Sequence, residues 1–230
     1  MKTIKSIKSA LIATLAILVA TPIFSSCIDD NDGPKPTGHE TTSLVTFEGN
    51  VELRARFTFI PEGDGATRTM LADKELPKDV KAGQRMVIRY IEIGKDNYTG
   101  FSNISLVSFN SLPTVEVEKV STEEAQAANE EIYVNAINRT GKYINLEAKV
   151  KKYTERTYYI YADEATLENP IPDLYITTKT KGDYSGVKYL DIASFDISMI
   201  WGRIDCKGVN IHINNSNPSL NKKVFEFRKQ

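Results

Sequence analysis

Few residues of this 230-residue chain belong to the types that carry bond chemistry: there are two cysteines and two histidines. His39 stands in a Gly/Pro/Thr-rich stretch, and His212 alternates with Val209, Ile211 and Ile213 as a strand residue, so the two imidazoles do not assemble a metal site by themselves. Cys206 and His212 are six residues apart, but no orienting acid accompanies them, and Ile204-Asp205-Cys206-Lys207 reads as the setting of a small buried hydrophobe rather than of a nucleophile. Gly182-Asp183-Tyr184-Ser185-Gly186 lacks the Gly-x-Ser-x-Gly spacing of a nucleophile elbow and reads as a hairpin loop. Glu123-Glu124 and Glu130-Glu131 are adjacent pairs, and adjacent residues on a helix do not share a face, so neither forms an acid–base couple. Gly63-x-Gly65 has no third glycine and no helix after it, which excludes a phosphate loop. The expectation is a non-enzymatic protein with no cofactor and no metal.

Cys27 is different, because its surroundings specify a modification. Lys2, Lys5 and Lys8 form a basic leader, Ala10 to Ala20 an apolar stretch, and Pro22 and the small residues Ser25 and Ser26 end it just before the cysteine. The apolar stretch is too short for a spanning helix, which needs about 20 residues. Phe24-Ser25-Ser26-Cys27 resembles a bacterial lipobox, with Phe24 where Leu is usual and Ser26 where Gly or Ala is commoner. Residues 1–26 are thus expected to be a lipoprotein signal peptide and Cys27 the lipidated N-terminus, tied to the membrane by its lipid anchor. Asp29, Asp30 and Asp32 before Gly33 do not fit a calcium loop, since Ile28 and His39 would fall at its first and twelfth positions. The run resembles instead the acidic export signal of surface lipoproteins, which implies an outer-membrane lipoprotein of a Gram-negative bacterium facing the cell exterior.

Without the leader the chain has 204 residues and a formal charge of −4, a balance that offers no electrostatic footprint for nucleic acid. If Cys27 is acylated, Cys206 has no partner, so the fold must stand on its core without an intrachain disulfide. Residues 27–42, with Gly33, Pro34, Pro36 and Gly38, read as an acidic, Pro/Gly-rich tether. Beyond it the hydrophobic period is two. Val51, Leu53, Ala55, Phe57 and Phe59 alternate with polar residues; Pro61-Glu62-Gly63-Asp64-Gly65 supplies a turn; Gln84–Ile93, Ile104–Phe109 and Val115–Val120 continue the series. Such a series of strands without a long helix fits a small barrel over 43–120. Ser121 and Glu124 mark a capping box, and 121–131 reads as a helical linker. Over 132–230 seven short strands follow, with Leu146, Ala148 and Val150 facing inward, which suggests a β-sandwich.

Nine of the eleven tyrosines lie after residue 130. Tyr158 and Tyr159 must point to opposite faces of their strand, and Tyr158, Tyr159 and Trp201 are the candidate ligand-binding side chains, suited to stacking on a glycan or docking on a protein. Several short segments together resemble the NigD-like lipoprotein family: the lipobox with its acidic tether, Gly63-Asp64-Gly65, Gly83-Gln84-Arg85-Met86-Val87, Tyr143-Ile144-Asn145-Leu146 and Ser194-Phe195-Asp196-Ile197-Ser198. The resemblance implies an all-β fold, an N-terminal OB-like barrel followed by a C-terminal β-sandwich, and carries no catalytic residues. It also implies an immunity or self-protection role, through the bacteriocin-associated setting of the family's namesake. The residues alone favour a binding or scaffolding lipoprotein, with glycan binding as a further alternative.

Cys27→Ala should abolish lipidation, so that the chain stays unprocessed or leaves the membrane fraction; metabolic labelling with a fatty acid and membrane fractionation read this directly. A labelled, membrane-bound Cys27→Ala protein would show that the cysteine is not the anchor.

Overall fold

The computed structural model describes residues 38–151, 155–182, 186 and 188–229. Cys27, Asp29, Asp30 and Asp32, and with them the leader and most of the tether, lie outside the described residues, as do Tyr153, Tyr184 and Ser185. Among the described residues thirteen strands and two short helices make an all-β fold: a small OB-like barrel is followed by a β-sandwich.

The first five strands, β1 (Thr41–Val51), β2 (Arg54–Phe59), β3 (Arg68–Ala72), β4 (Arg85–Lys95) and β5 (Ser102–Ser111), close on themselves in the order β1-β2-β3-β5-β4. Closure depends on β1 serving two partners. Thr41 to Thr46 pairs with β4, whereas the stretch from Thr46 to Val51 pairs with β2. A bulge between Phe47 and Gly49 lets one strand bend between them, and Gly49 sits there at φ +116, a conformation that a side chain would strain. The period-two pattern then sends Val45, Phe47, Ala55, Phe57, Met70, Met86, Ile88, Ile104 and Leu106 inward, with Phe47 and Phe57 packed at a centroid distance of 5.7 Å.

The alternation across Val51–Phe59, expected to be one strand, is a hairpin. Glu52 and Leu53 turn the chain at φ +50 and +63, where Asn-Gly is the usual choice, and Leu53 is left 76% exposed. A two-residue turn preserves the parity of the pattern, which is why the sequence runs through it unmarked. The turn at Pro61–Gly65 does join two antiparallel strands, but within the longer loop 60–67 between β2 and β3.

Strand β6 (Thr114–Val120) is expected in the barrel from its place in the chain. It belongs to the other module. Its first half pairs in parallel with β11 (Lys188–Asp196), Thr114 opposite Ser194, and its second half with β9 (Glu155–Asp163), Val117 opposite Ile160. The full order is β13 (Val224–Arg228), β12 (Gly208–His212), β10 (Asp173–Lys181), β9, β6, β11, β8 (Tyr143–Lys151), β7 (Tyr133–Thr140). One strand thereby joins both halves of a sheet that folds over a single core, with Leu146, Ile160, Leu174, Ile176, Phe195, Val209 and Ile211 between them. A parallel partner cannot be reached by a tight turn, so no local signal ties β6 to either neighbour.

Helix α1 (Thr122–Ala127) is capped as expected, Glu124 N–H donating to Ser121 Oγ at 3.3 Å. It is not a linker between modules. Ala125 is fully buried, and the helix lies on the outer face of β9 and β10 against Val120, Tyr159, Tyr161 and Tyr175. Helix α2 (Ser198–Trp201) brings Ile200 and Trp201 to the sandwich core.

Barrel and sandwich are clasped at the β2–β3 loop. Gly63, at φ +55, lies beside Thr140 like a one-residue strand: its N–H donates to the Arg139 carbonyl at 2.9 Å and its carbonyl accepts from Gly141 N–H at 2.7 Å. Next to it the Asp64 carboxylate takes both ends of the buried Arg139 guanidinium, at 2.8 and 2.7 Å, and accepts from Trp201 Nε1 at 3.2 Å. The guanidinium also covers the Trp201 ring at 4.0 Å.

These placements give two expected outcomes. A fragment of residues 113–230 should unfold cooperatively, whereas one of residues 131–230, without β6, should show no cooperative transition by circular dichroism; equal behaviour would mean that β6 is dispensable to the sandwich. Asp64→Ala, which strands a buried charge, should cost about 3 kcal/mol in chemical denaturation, and Arg139→Met in the same background should recover part of it.

A candidate ligand cleft between barrel and sandwich

The three side chains singled out for ligand binding do not share a surface. Tyr158 points into the sandwich core, 5% exposed, its ring edge-on to Phe195 at 6.2 Å and its hydroxyl donating to Asp191 Oδ2 at 2.9 Å; burial holds its phenol well above the ordinary range. Trp201, 7% exposed, is part of the clasp. Tyr159, pointing the other way from Tyr158, is half-buried on the outer face, stacked with Tyr161 at 5.8 Å and covered by Lys179 at 4.8 Å from its centroid. The same face carries Tyr175 stacked on His212 at 4.5 Å, and the imidazole is hydrogen-bonded through Nε2 to Asp173 at 2.7 Å. Cys206 is a free, buried thiol that donates to the Gly208 carbonyl. Among the described residues no three His, Cys, Asp or Glu side chains gather as a metal site. No described helix is long and apolar enough to cross a membrane.

The better candidate lies where the modules meet. A cleft of about 450 Å³ is bounded on the barrel side by Thr46 and Glu48 of β1, Thr58 and Phe59 of β2, Ile60, Thr67, Gly83 and Arg85, and on the sandwich side by Thr140, Gly141, Lys142 and Tyr143. Such a size falls within the ~300–1,000 Å³ of small-molecule sites. Thr46, Glu48 and Thr58 are available there because the inward positions of β1 and β2 are filled by Val45, Phe47 and Phe57, leaving polar residues on the outer face. The clasp holds the β7–β8 turn, with Gly141 and Lys142, over that face.

The wall of the cleft is backed by a polar network. Asn145, buried on β8, accepts from Arg85 at 3.1 Å and from Ser194 Oγ at 2.8 Å, and donates to Asn138 Oδ1 and Thr140 Oγ1, both at 3.0 Å. Arg85 also donates to Thr46 Oγ1 at 3.3 Å, and its guanidinium lies 4.4 Å from the Tyr143 ring centroid. Desolvation lowers its pKa to about 10, which still leaves it charged at neutral pH. Lys142 is bonded to Asp196 at 2.7 Å, which raises its pKa and holds the Asp196 carboxyl below the usual range despite burial. Glu48 is fixed by Thr58 Oγ1 at 2.5 Å. Arg85, Asn145 and Tyr143 carry no separate sequence signal. They stand in the short segments Gly83–Val87 and Tyr143–Leu146, but only the fold shows that these segments face each other.

A second hollow, about 400 Å³, opens elsewhere on the sandwich, where Glu130 and Glu131 face Lys149 and Lys188 around Tyr133 and Thr178. Its mixed exposed charges define no single ligand chemistry.

No family profile matches the sequence, and no curated protein is recognisably similar to it. Solved structures do share its fold. A protein of unknown function (DUF1344) from Bacteroides vulgatus superposes with a TM-score of 0.67 at 14% identity, over 84% of this chain and 92% of that one. A candidate lipoprotein from Bacteroides fragilis gives 0.58 at 14% identity, over 84% and 99%. A NigD-like immunity protein from Bacteroides caccae gives 0.60 at 13% identity, over 86% and 100%. Coverage of nearly the whole of each of these chains means that both modules are shared, so the chain has the same barrel-and-sandwich fold as these Bacteroides structures.

Proposed function

We propose that this chain is a lipid-anchored protein of the cell envelope that binds a small polar ligand in the cleft between its two modules and performs no reaction on it. The observation that carries the binding reading is the cleft itself: its walls come from both modules, and its polar side chains are held by one another and by the clasp. A site of this kind is preorganised, so a ligand does not have to order it. Glu48 and Lys142, which line the cleft with Arg85, are each held in a hydrogen bond, and among the described residues no thiol or imidazole lines the cleft to serve as nucleophile or base.

The address rests on the leader, on Cys27 and on Asp29, Asp30 and Asp32, and the likeness to a candidate lipoprotein supports it. A second reading, immunity toward a secreted toxin, is supported by the description of the Bacteroides caccae structure. Binding through the tyrosine-bearing outer sheet face, with Tyr159 as its centre, is the glycan alternative.

Protease added to intact cells should remove the wild-type protein, and replacing Asp29, Asp30 and Asp32 by Ala should protect it while leaving it in the membrane fraction. Equal cleavage of both would reduce the acidic run to a spacer; protection of both would place the protein on an inner face.

A further inference from the structure

Arg85 is a buried cation without an anion. It is 3% exposed, and its side-chain partners are all neutral: Thr46 Oγ1, Asn145 Oδ1 and the Tyr143 ring. Its Nε–H is buried with no acceptor. Asp196 acts on it only through space, and that carboxylate is spent on Lys142. Arg139, the other buried arginine, has a carboxylate on both ends of its fork. Leaving a charge and a donor both uncompensated is expensive, and a protein keeps such a group where something else completes it.

The surroundings name the completing group. Thr46 and Thr140 already accept a hydrogen bond each, so their O–H protons are free to donate into the cleft, and Lys142 adds a partly exposed ammonium. Such a donor set suits a carboxylate. The other walls, Thr58, Glu48 and the ring of Phe59, offer the polar groups and aromatic surface that suit a sugar ring. We infer that the cleft binds an acidic sugar, its carboxylate paired with Arg85. This deepens the binding reading above and rests on it.

Glu48 gives the inference its sharpest handle. It is the extra residue of the β1 bulge and lines the same cleft, where its carboxylate opposes an incoming anion. Removing its charge should therefore strengthen binding, an effect that a purely structural role for Arg85 would not produce.

Isothermal titration calorimetry on the full chain, with glucuronate and N-acetylneuraminate as probes and glucuronate methyl ester, glucose and acetate as controls, decides the matter. One of the two acidic sugars should bind, with the controls at least about tenfold weaker. Glu48→Gln should tighten that binding about fivefold, and Arg85→Gln should weaken it at least tenfold. If Arg85→Gln does not fold, the carboxylate-against-ester comparison and Glu48→Gln still decide. Ester or glucose binding as tightly as the acid overturns the carboxylate but leaves the cleft. Acetate binding as tightly overturns the sugar. Acid binding indifferent to both substitutions places the site outside the cleft and overturns both readings, and no binding by either acidic sugar at millimolar concentration overturns the acidic-sugar assignment.

Discussion

The arrangement of the molecule depends on one buried guanidinium. Arg139 is held in the seam between the modules, and a charge removed from water there is tolerable only if its donors are spent. Asp64 reaches across from the barrel to take two of them, the Gly141 carbonyl takes another, and the Trp201 ring covers the flat face. Because the fork of arginine is rigid, the interaction fixes direction as well as distance. Gly63 completes the clasp with backbone bonds to both sides of Thr140, and Gly141 is small where a Cβ would meet Ile60 at 2.7 Å. Two modules joined by so short a connection would otherwise be free to rock, and a cleft between them would have no constant shape.

Arg85 lies in the same seam under opposite circumstances. Arg139 stabilises the folded state because its charge is matched within the protein, whereas Arg85 is packed against neutral groups and carries a lowered pKa as the mark of its desolvation. Two buried arginines at one interface, one completed and one not, separate the part of the seam that holds the fold from the part that is open to something outside it.

The class of the fold was legible because alternation needs only the local chain. Leu146, Ala148 and Val150 face inward as their spacing demands, and Ser121 caps α1 as its sequence demands. Legibility failed wherever pairing was not local. Glu52-Leu53 makes a tight turn without turn residues; β6 finds both its partners far along the chain; β3, five residues long and beginning with Arg68, falls below the length at which a pattern declares itself. The cleft was invisible for the same reason, since Arg85 and Asn145 are 60 positions apart. The aromatic residues misled because composition says how many tyrosines there are and not which way they point: Tyr158 faces the core and Tyr159 does not.

The position of β6 also bears on how the chain reaches its native state. A chain that emerges from its N-terminus has every barrel strand once Ser111 is out, but β6 follows with both edges bare until Ile160 and Ser194 arrive to pair with Val117 and Thr114. Long-range parallel pairing makes closure of the sandwich the slow step, and in that interval the two unpaired edges are open to a second copy of the same strand. Glu116, Glu118 and Lys119 put charge along β6 during this wait, and charge on a bare edge discourages association. Assembly of this protein is therefore a race between one strand's distant partners and second copies of the strand itself.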